Sequence, residues 1–412
     1  MNEHFDTLET RDPSLRERAQ LAALPAQVAH AKARTRAYAT LLADVDPRDI
    51  GSRKALERLP VMRKSELLEL QKSDPPFGGF AATRWGEARL VFASPGPIYE
   101  PEGRDADHWR IARALFAAGF RAGELVHNCF SYHFTPGGAM LESGAHALGC
   151  TVFRGGTGQS EQQVQTMADL KPQGYVGTPS FLRIILDKAA ELGITLGSVT
   201  KALVSGEAFP SSLRDAFAAK GIAAYQAYAS ADVGSIAYES TARDGLIVDE
   251  GVLVEIVRPG TGEHVGEGEV GEVVVTLLHN RDYPLIRFGT GDLSATLPGV
   301  SACGRTNMRI KGWLGRADQT AKVRGMFVYP SQVAAILKRH PEIVRARLVV
   351  DYTDGADRMI LHAEIANNAS SNTDSIVASI RDITKLRGEV AFHDPGDLAN
   401  DGKVIDDTRK YD

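Results

Sequence analysis

The sequence has few cysteines, no long hydrophobic run and no large excess of charge of either sign. Three cysteines in 412 residues are too few for a disulfide framework and fit a reducing cytosol. No uninterrupted apolar run approaches the ~20 residues that span a bilayer. The polar, acidic segment from Met1 to Pro13 is not a secretory signal. We therefore expect a cytoplasmic protein with no membrane segment.

Charge and local motifs exclude further classes. The formal net charge of −5 argues against a broad nucleic-acid surface. The sequence contains no H-E-x-x-H, C-x-x-C or G-x-S-x-G motif, so zinc hydrolysis, thiol redox chemistry and esterase chemistry have no local signature. A G-x-G-x-x-G match at Gly266–Gly271 precedes a β-branched run and opens no helix. We interpret it as hairpin chemistry rather than as a dinucleotide site.

The hydrophobic patterns predict an α/β protein with more than one domain. A length of 412 residues suggests two or three domains. Residues 1–88 are predicted to form a mainly helical cap, with apolar positions at helical spacing. From about Arg89, short apolar strands alternate with helices, and one of these helices is predicted over Asp107–Gly119. This alternation favours mostly parallel sheets covered by helices. After Gly245, β-branched runs joined by turn residues predict a small antiparallel section.

The pattern changes again near the C-terminus. Ser331 is placed to cap a helix that ends at His340-Pro341. Two strands, a second helix over Thr373–Leu386 and a last strand follow, which is typical of a small α+β domain. The predicted boundary lies near Asp318, dividing the chain into 1–317 and 318–412.

Two segments carry the most specific chemistry. The segment from Trp313 to Pro330 reads W-L-G-R-A-D-Q-T-A-K-V-R-G-M-F-V-Y-P and looks like a joint between domains beside a polyanionic ligand. The segment from Tyr283 to Asp292 reads Y-P-L-I-R-F-G-T-G-D and predicts an apolar strand that ends in a glycine-rich turn carrying Asp292. Flanking glycines allow close approach of a ligand, and the carboxylate could accept both hydroxyls of a ribose. The alternative is a β-turn in which Asp292 is only a local acceptor.

These two segments resemble the adenylate-forming superfamily of AMP-forming acyl-CoA ligases, and especially its phenylacetate–CoA ligase branch. Further matches follow in the same order, at Gly177–Ser180, Ser205–Pro210, Tyr228 with Ala231-Asp232, and Gly402-Lys403. The resemblance covers roughly Arg89 to Lys403. It implies a large N-terminal adenylation domain, 1–317, and a small mobile α+β lid domain, 318–412.

The resemblance also implies the nucleotide site for ATP and AMP. Asp292 would bind the ribose hydroxyls, and Arg316 would lie beside ribose and phosphate. The adenine would lie between the Ser205–Pro210 loop and the aromatic ring of Tyr228. The implied nucleotide-binding residues of this part are Ser205, Gly206, Glu207, Ala208, Pro210, Tyr228 and Ala231. Asp232 stands where a glutamate usually helps to place Mg²⁺. Aspartate keeps the charge but is one methylene shorter.

The lid residues are likewise implied by the resemblance. Lys403 would bridge the carboxylate and the α-phosphate during adenylation, because a long cationic side chain can neutralise charge at the reacting phosphate. Asp318 would be the hinge. Lys322, Arg324 and Gly325 would hold CoA or the alternate closure, since adenylation and thioester formation would use different closures.

The acyl pocket would be lined by Phe134, Gly137, Gly138, Ala139 and Ala227. Small residues there leave room for a flat or short acyl group. The alternative is that the glycines only form a tight strand-to-helix turn.

The phosphate loop departs from the pattern of the family. The corresponding stretch, Phe92–Pro101, has Ser94 and Gly96 as candidate phosphate contacts, but it contains no lysine. Its three prolines lack the backbone N–H that a phosphate cradle needs. Only Cys303 remains near the segments that bear zinc ligands in some relatives of this kind, so no zinc site is expected.

Three hypotheses follow. The first is a ligase that activates a small, aryl carboxylic acid with ATP and Mg²⁺ to acyl-AMP and transfers it to CoA. The second is an adenylate-forming enzyme with another acceptor, such as an amine or a carrier-protein thiol. The third is a catalytically reduced protein that binds nucleotide or acyl-adenylate, because the phosphate loop is atypical. A homodimer is the default expectation for the assembly.

Overall fold

The computed structural model describes residues 3–258, 261–317, 321–328, 330–353, 356–365, 372–399 and 403–409. Contacts divide the chain into two compact units, Met1–Leu314 and Gly315–Asp412. No helix among the described residues is long and apolar enough to span a membrane.

Nine α-helices and fifteen strands of the first unit are described. The helices are α1 (Pro13–Arg34), α2 (Arg36–Leu41), α3 (Arg53–Leu56), α4 (Lys64–Ser73), α5 (Ala112–Ala117), α6 (Gly137–Ala147), α7 (Ser160–Leu170), α8 (Pro179–Glu191) and α9 (Ser211–Ala219). The strands are β1 (Met62–Arg63), β2 (Leu90–Ser94), β3 (Ile98–Glu102), β4 (Leu125–Asn128), β5 (Thr151–Arg154), β6 (Gly174–Gly177), β7 (Lys201–Val204), β8 (Ala223–Ser230), β9 (Gly234–Glu239), β10 (Leu246–Val248), β11 (Val252–Val257), β12 (Gly271–Leu277), β13 (Phe288–Ser294), β14 (Thr296–Leu297) and β15 (Arg309–Ile310).

The largest sheet has nine strands in the order β14-β15-β10-β9-β8-β7-β6-β4-β5. Strands β5, β4, β6, β7 and β8 run parallel, while β9 pairs antiparallel with β8 and β10. A second sheet orders β1-β13-β12-β11, and β11 pairs antiparallel with β12 over Val252–Val257. The predicted α/β class with a parallel part and an antiparallel section is therefore confirmed.

The second unit is a small α+β structure. Its elements are β16 (Gly315–Arg316), β17 (Ala321–Val323), β18 (Met326–Val328), α10 (Pro330–Arg339), β19 (Ile343–Thr353), β20 (Ala356–Ile365), α11 (Thr373–Thr384), β21 (Glu389–His393) and β22 (Ile405–Asp407). Four strands form a sheet in the order β21-β20-β19-β22. Its core contains Leu348 and Leu361 from the sheet and Ile336 and Ile380 from the two helices.

Two predicted helix boundaries were wrong. The helix expected over Asp107–Gly119 spans only Ala112–Ala117, because Arg110 has φ +60°, which a right-handed helix cannot include. The Asp107 carboxylate instead accepts hydrogen bonds from the N–H groups of Ile111 and Ala112. The helix expected to be capped by Ser331 begins one residue earlier, at Pro330, since the fixed φ of proline suits the first helical position.

Candidate active site

The candidate nucleotide segments converge at one edge of the large sheet. Strands β4, β6, β7 and β8 are parallel neighbours, so their carboxyl ends share that edge. The segments after these strands begin at Cys129, Thr178, Ser205 and Ala231. In open α/β sheets, ligands bind in the crevice outside the carboxyl ends of the strands. The fold therefore brings together motifs that are far apart in the sequence.

Hydrogen bonds tie these segments to one another. The Ser205 hydroxyl donates to the carbonyl of Ala227 at 2.7 Å, and the Ser205 N–H donates to the carbonyl of Gly177 at 3.2 Å. The Glu207 carboxylate accepts from the N–H of Ser180 at 3.4 Å. Gly206 has φ +83° and is exposed, while Ala208 and Pro210 are half-buried. The loop after β7 is thus held against its neighbours.

Asp292 lies at the centre of a polar cluster. The Tyr228 hydroxyl donates to Asp292 Oδ2 at 2.9 Å and lies 3.2 Å from Thr290 Oγ1. Trp313 donates its indole N–H to Asp292 Oδ1 at 3.0 Å. Both carboxylate oxygens are therefore oriented by aromatic donors, and Asp292 is half-buried.

The predicted glycine-rich turn around Asp292 was wrong. Phe288–Ser294 forms strand β13, and Asp292 lies within it. Gly291 has φ +74°, which glycine adopts without a steric penalty. The strand continues because β13 pairs with β12, with an irregular register between Glu272 and Val274.

The arginine of the same motif is structural. Arg287 is 1% exposed. Its guanidinium contacts Glu255 at 3.0 Å and donates to the carbonyls of Glu57, Leu59 and Gly262. These bonds tie the second sheet to the loop before β1 and do not present a cation to a ligand.

Asp232 forms a buried ion pair with Lys64. Lys64 Nζ lies 2.6 Å from Asp232 Oδ2, and the side chain of Asp232 is 0% exposed while that of Lys64 is 21% exposed. Ser230 donates to the same oxygen at 3.4 Å, and Ala231 beside it is half-buried. Asp232 Oδ1 has no hydrogen-bond partner among the described residues. An orphaned carboxylate oxygen suits Mg²⁺, which binds through one or two carboxylates plus substrate phosphates.

The candidate phosphate loop is a tight β-hairpin. Strands β2 and β3 pair in register from Leu90↔Glu102 to Ser94↔Ile98, which leaves three residues, 95–97, in the turn. Gly96 supplies the only backbone N–H of that turn, because its neighbours in the turn are prolines. Ser94 is buried, and its hydroxyl and N–H both donate to the Glu100 carboxylate.

Glu100 lies in the same electrostatic group as Asp232. It is 0% exposed. Burial, and next the Asp232 carboxylate, raise the pKa of Glu100 to about 8, against the opposing effect of Lys64. Two buried carboxyl groups therefore lie near the Lys64 ammonium at the base of the hairpin, with Asp232 in contact with it, and the raised pKa favours the neutral form of Glu100 at neutral pH.

The candidate acyl segment adjoins the same hairpin. The Phe134 carbonyl accepts from the N–H of Ala93 at 2.8 Å, while the Phe134 side chain is 80% exposed. A Cβ on Gly138 would lie 2.7 Å from the carbonyl oxygen of Ser131. Close packing at the start of α6 therefore accounts for this glycine.

The other residues of that segment fit the space differently. A Cβ on Gly137 would meet the Phe130 ring at 3.3 Å, Ala139 is half-buried, and Ala227 is buried. Their role as a pocket lining stays a prediction.

The second unit carries Lys403 and the β17–β18 hairpin. Lys403 precedes β22 and pairs with Asp406 at 2.9 Å, with its side chain 51% exposed. Arg324 and Gly325 form the tip of the hairpin with φ of +49° and +80°. The Arg324 N–H donates to the Asp357 carboxylate at 2.8 Å, and Lys322 is half-buried. This tip is therefore fixed against β20.

Three predicted residues lie wholly or partly outside the described part of the chain. Asp318, the expected hinge, and Gly402 lie outside the described residues. Arg316 lies in β16, and its side chain also lies outside the described part.

Metal ligands are sparse in the described part of the chain. No group of three or more His, Cys, Asp and Glu side chains is arranged there to hold a metal ion. Cys303 lies 3.2 Å from the Ser301 hydroxyl and 3.5 Å from an Arg305 nitrogen. Burial raises the pKa of this thiol, but hydrogen bonds from Ser240, Ser301 and Arg305 hold it below its ordinary value.

Sequence reasoning missed several residues of the site. Lys64 is 168 positions from Asp232, and no local motif links the two. Glu100 has no predicted role within the atypical phosphate loop, whereas its carboxyl group accepts from both donors of Ser94. The sequence pattern places Trp313 in the joint, whereas its indole N–H donates to Asp292. Residue type gives a signal only for Trp313, because the indole N–H of a tryptophan that is removed from water needs a hydrogen-bond acceptor.

Comparison with known proteins agrees with this geometry. A family model described as an AMP-binding enzyme matches residues 108–277. A phenylacetate–coenzyme A ligase of Thermus thermophilus is 33% identical over 356 residues, covering 82% of this chain and 79% of the relative. Another, of Aromatoleum evansii, is 33% identical over 341 residues, covering 79% and 76%.

Solved structures share the fold. A 2-hydroxyisobutyryl-CoA ligase, crystallised with 2-HIB-AMP and CoA, superposes with a TM-score of 0.86 at 24% identity, covering 100% of this chain and 93% of that protein. The chain therefore belongs to the adenylate-forming AMP-binding enzymes, in the branch of the phenylacetate–coenzyme A ligases.

Proposed function

We propose that this protein activates a small, aryl carboxylic acid with ATP and transfers the acyl group to CoA. The single observation that carries the proposal is the Tyr228–Asp292–Trp313 cluster, at the edge where the family motifs converge. The named activity of the relatives supports the same reaction.

The reaction has two balanced steps. A carboxylate oxygen of the acid attacks the α-phosphorus of ATP, and the bond to the β-phosphate oxygen breaks, releasing pyrophosphate and forming acyl-AMP. The sulfur of CoA then attacks the acyl carbonyl, the bond to AMP breaks, and the thiol proton is lost to solvent. The AMP portion must therefore stay bound through both steps, while the attacking group changes from the carboxylate to the thiol of CoA.

The nucleotide would be held at the sheet edge. Asp292 would accept the ribose hydroxyls, and its hydrogen bonds from Tyr228 and Trp313 orient the carboxylate for that contact. The Ser205–Pro210 loop, fixed through Ser205 and Glu207, would flank the adenine together with Tyr228. Arg316 would lie beside ribose and phosphate.

Lys64 would supply the cationic side chain for the ATP phosphates, because the hairpin contains no lysine. Its ammonium is partly exposed beside a buried carboxylate, so it can contact an anion while keeping Asp232 paired. Asp232 would hold Mg²⁺ that arrives with ATP, through the oxygen that has no partner among the described residues. Mg²⁺, when bound, neutralises phosphate charge.

We assign the lid role to residues 318–412, with Asp318 as hinge. Lys403 would reach the carboxylate and α-phosphate for adenylation, and Lys322, Arg324 and Gly325 would serve CoA or the second closure. The acyl group would lie against Phe134, Gly137, Gly138, Ala139 and Ala227. The cysteine content supports a cytoplasmic location, and we propose a homodimer, which light scattering would test.

The test is product analysis with purified protein, ATP, Mg²⁺, CoA and a panel of aryl and short-chain acids. Acid-dependent release of AMP and pyrophosphate, with acyl-CoA formed in equal amount, supports the proposal. Absence of AMP with every acid contradicts it. AMP and acyl transfer to a supplied amine without CoA would favour another acceptor.

One observation favours a catalytically reduced binding protein as the second candidate. The hairpin turn offers one backbone N–H, and Ser94 is committed to Glu100. A catalytically reduced binding protein would bind AMP about as tightly as ATP. Calorimetry that shows much tighter binding of ATP with Mg²⁺ excludes it.

A further inference from the structure

Helix α4 and the β2–β3 hairpin are joined by specific contacts. Gln71 of α4 accepts from the N–H of Tyr99 at 2.7 Å and donates to the carbonyl of Tyr99 at 2.9 Å. At the turn, a Cβ on Gly96 would lie 3.4 Å from Leu68 of α4. The helix that carries Lys64 at its first position therefore also supports the turn that carries Gly96.

Glu100 fixes the other side of this turn. Its carboxylate accepts from both the hydroxyl and the N–H of Ser94, the last residue of β2 before the turn. Glu100 and Ser94 are 0% and 4% exposed, so neither can contact a ligand without a rearrangement of the hairpin. Their bonds instead determine where the chain enters the turn.

A carboxyl group buried beside a phosphate site is costly, because burial desolvates it and its charged form would repel the phosphates. Three titratable side chains lie at the base of the hairpin, Glu100, Asp232 and Lys64, and the Tyr283 hydroxyl is within electrostatic range of both carboxyl groups. A hydrophobic residue in place of Glu100 would avoid that cost. Its presence therefore requires a role, and the paired bonds to Ser94 indicate which one.

We propose that Glu100 is a positioning residue for the β- and γ-phosphates of ATP. Acting through Ser94, it holds the turn so that the Gly96 N–H and the Lys64 ammonium face the same phosphates. This inference rests on the proposed function, and it adds that the acidic hairpin is a working phosphate clamp. AMP lacks these phosphates, so the clamp contributes only to ATP binding.

The test compares binding of ATP with Mg²⁺ and binding of AMP by calorimetry. The wild type is expected to bind ATP more tightly than AMP, and Glu100→Ala is expected to reduce that ratio about tenfold with the Kd for AMP unchanged. Glu100→Gln keeps an acceptor oxygen for the Ser94 hydroxyl and should restore much of the ratio. Glu102→Ala is the matched control. Glu102 is buried on the same strand but accepts from Trp109, so its loss should leave the ratio unchanged.

A double-mutant cycle identifies the route. If Glu100 acts through Ser94, the Ser94→Ala/Glu100→Ala protein loses no more of the ratio than Glu100→Ala alone. Additive losses overturn the route through Ser94. If Glu100→Ala does not fold, Ser94→Ala carries the same test, because it removes the hydroxyl that Glu100 binds.

The remaining outcomes separate the two proposals. An ATP preference that Glu100→Ala retains overturns the inference and leaves the ligase function intact. A wild type that binds ATP and AMP equally also overturns the inference. Loss of the preference in Glu100→Ala, in a protein that makes no AMP with any acid, supports the clamp and counts against the ligase function alone.

Discussion

Tyr228 donates its hydroxyl to Asp292 Oδ2 at 2.9 Å, across 64 positions of the chain. The two residues come from different sheets, β8 of the nine-stranded sheet and β13 of the second one. This bond therefore connects the two sheets at the candidate ribose site.

Tyr228→Phe should raise the KM for ATP about fivefold with a smaller change in kcat. The variant keeps the ring and loses a hydrogen bond to a carboxylate, worth about 1.5–3 kcal/mol. Part of that loss reaches ATP binding, because the bond acts through the orientation of Asp292. Steady-state kinetics at saturating acid and CoA measure the effect. Tyr352→Phe makes the same change at an exposed position of β19 and should behave as wild type. An unchanged KM for ATP in Tyr228→Phe would remove Tyr228 from the nucleotide site.

Lys64→Gln should raise the KM for ATP by roughly tenfold or more. The variant loses a charge-assisted bond worth about 1.5–3 kcal/mol and leaves the Asp232 carboxylate buried without its counterion. The change is measured by initial rates at varied ATP. Lys72→Gln provides the comparison. Lys72 lies near the other end of the same helix and forms an exposed ion pair with Glu69. Equal kinetics in both variants would contradict a phosphate role for Lys64.

Lys403→Ala should reduce acyl-AMP formation by about 10²–10³-fold, because a transition-state charge contact of this kind contributes that much. Thioester formation from supplied acyl-AMP should persist. Each half-reaction is followed separately by chromatography. Lys385→Ala removes another exposed lysine of the same unit and should affect neither step. Equal loss of both half-reactions in Lys403→Ala would contradict the two-closure mechanism.

Arg287→Ala should lower the free energy of unfolding by about 3–5 kcal/mol, because Glu255 then stays buried without its guanidinium partner and keeps the contact with the His264 imidazole at 2.8 Å. Chemical denaturation measures this loss, from the unfolding transition of the unit that contains Arg287. Arg258→Ala breaks a pair with Glu263 that is exposed and 4.0 Å long, which is worth little. A stable Arg287→Ala protein that has lost only ATP binding would show that this arginine contacts the ligand.

His108 should make the protein less stable as the pH falls. Burial, with Arg110 nearby, lowers the pKa of His108 to about 4. The unfolded chain therefore takes up a proton between about pH 6.5 and pH 4 while the folded chain does not. Stability is fully present above pH 6.5 and declines by about 2–3 kcal/mol towards pH 4.

Thermal unfolding of His108→Gln at several pH values isolates this effect. The variant should lose that part of the pH dependence, whereas His133→Gln, at an exposed position, should retain it. An unchanged pH profile in His108→Gln would show that His108 is not the group responsible.

The order of the elements could be predicted because its determinants are local. Strand–helix alternation between Leu125 and Ser230 shows directly in the hydrophobic pattern, and the hairpin of β11 and β12 in its β-branched runs. The Asp292 turn was mispredicted because glycine usually marks a turn. Here Gly291, with φ +74°, lies at an irregularity of β13, between the register partners Gly289 and Leu293, so the glycine serves a bulge inside a strand and not a turn.

The site could be predicted only where a motif is contiguous. Asp292 and Ser205 belong to motifs whose spacing is visible in the chain. Lys64 and Glu100 take their roles from packing between α4, the β2–β3 hairpin and the turn after β8. Neither residue propensity nor motif spacing encodes these contacts. The sequence alone therefore indicates only a phosphate loop that lacks the usual donors.

Acid-dependent exchange of labelled pyrophosphate into ATP, without CoA, tests the central claim most directly. The account predicts exchange that requires a carboxylic acid and Mg²⁺, and that falls sharply in Lys403→Ala. An absence of exchange with every acid of the panel, in protein that binds ATP with Mg²⁺, would contradict the proposal that this site adenylates carboxylic acids.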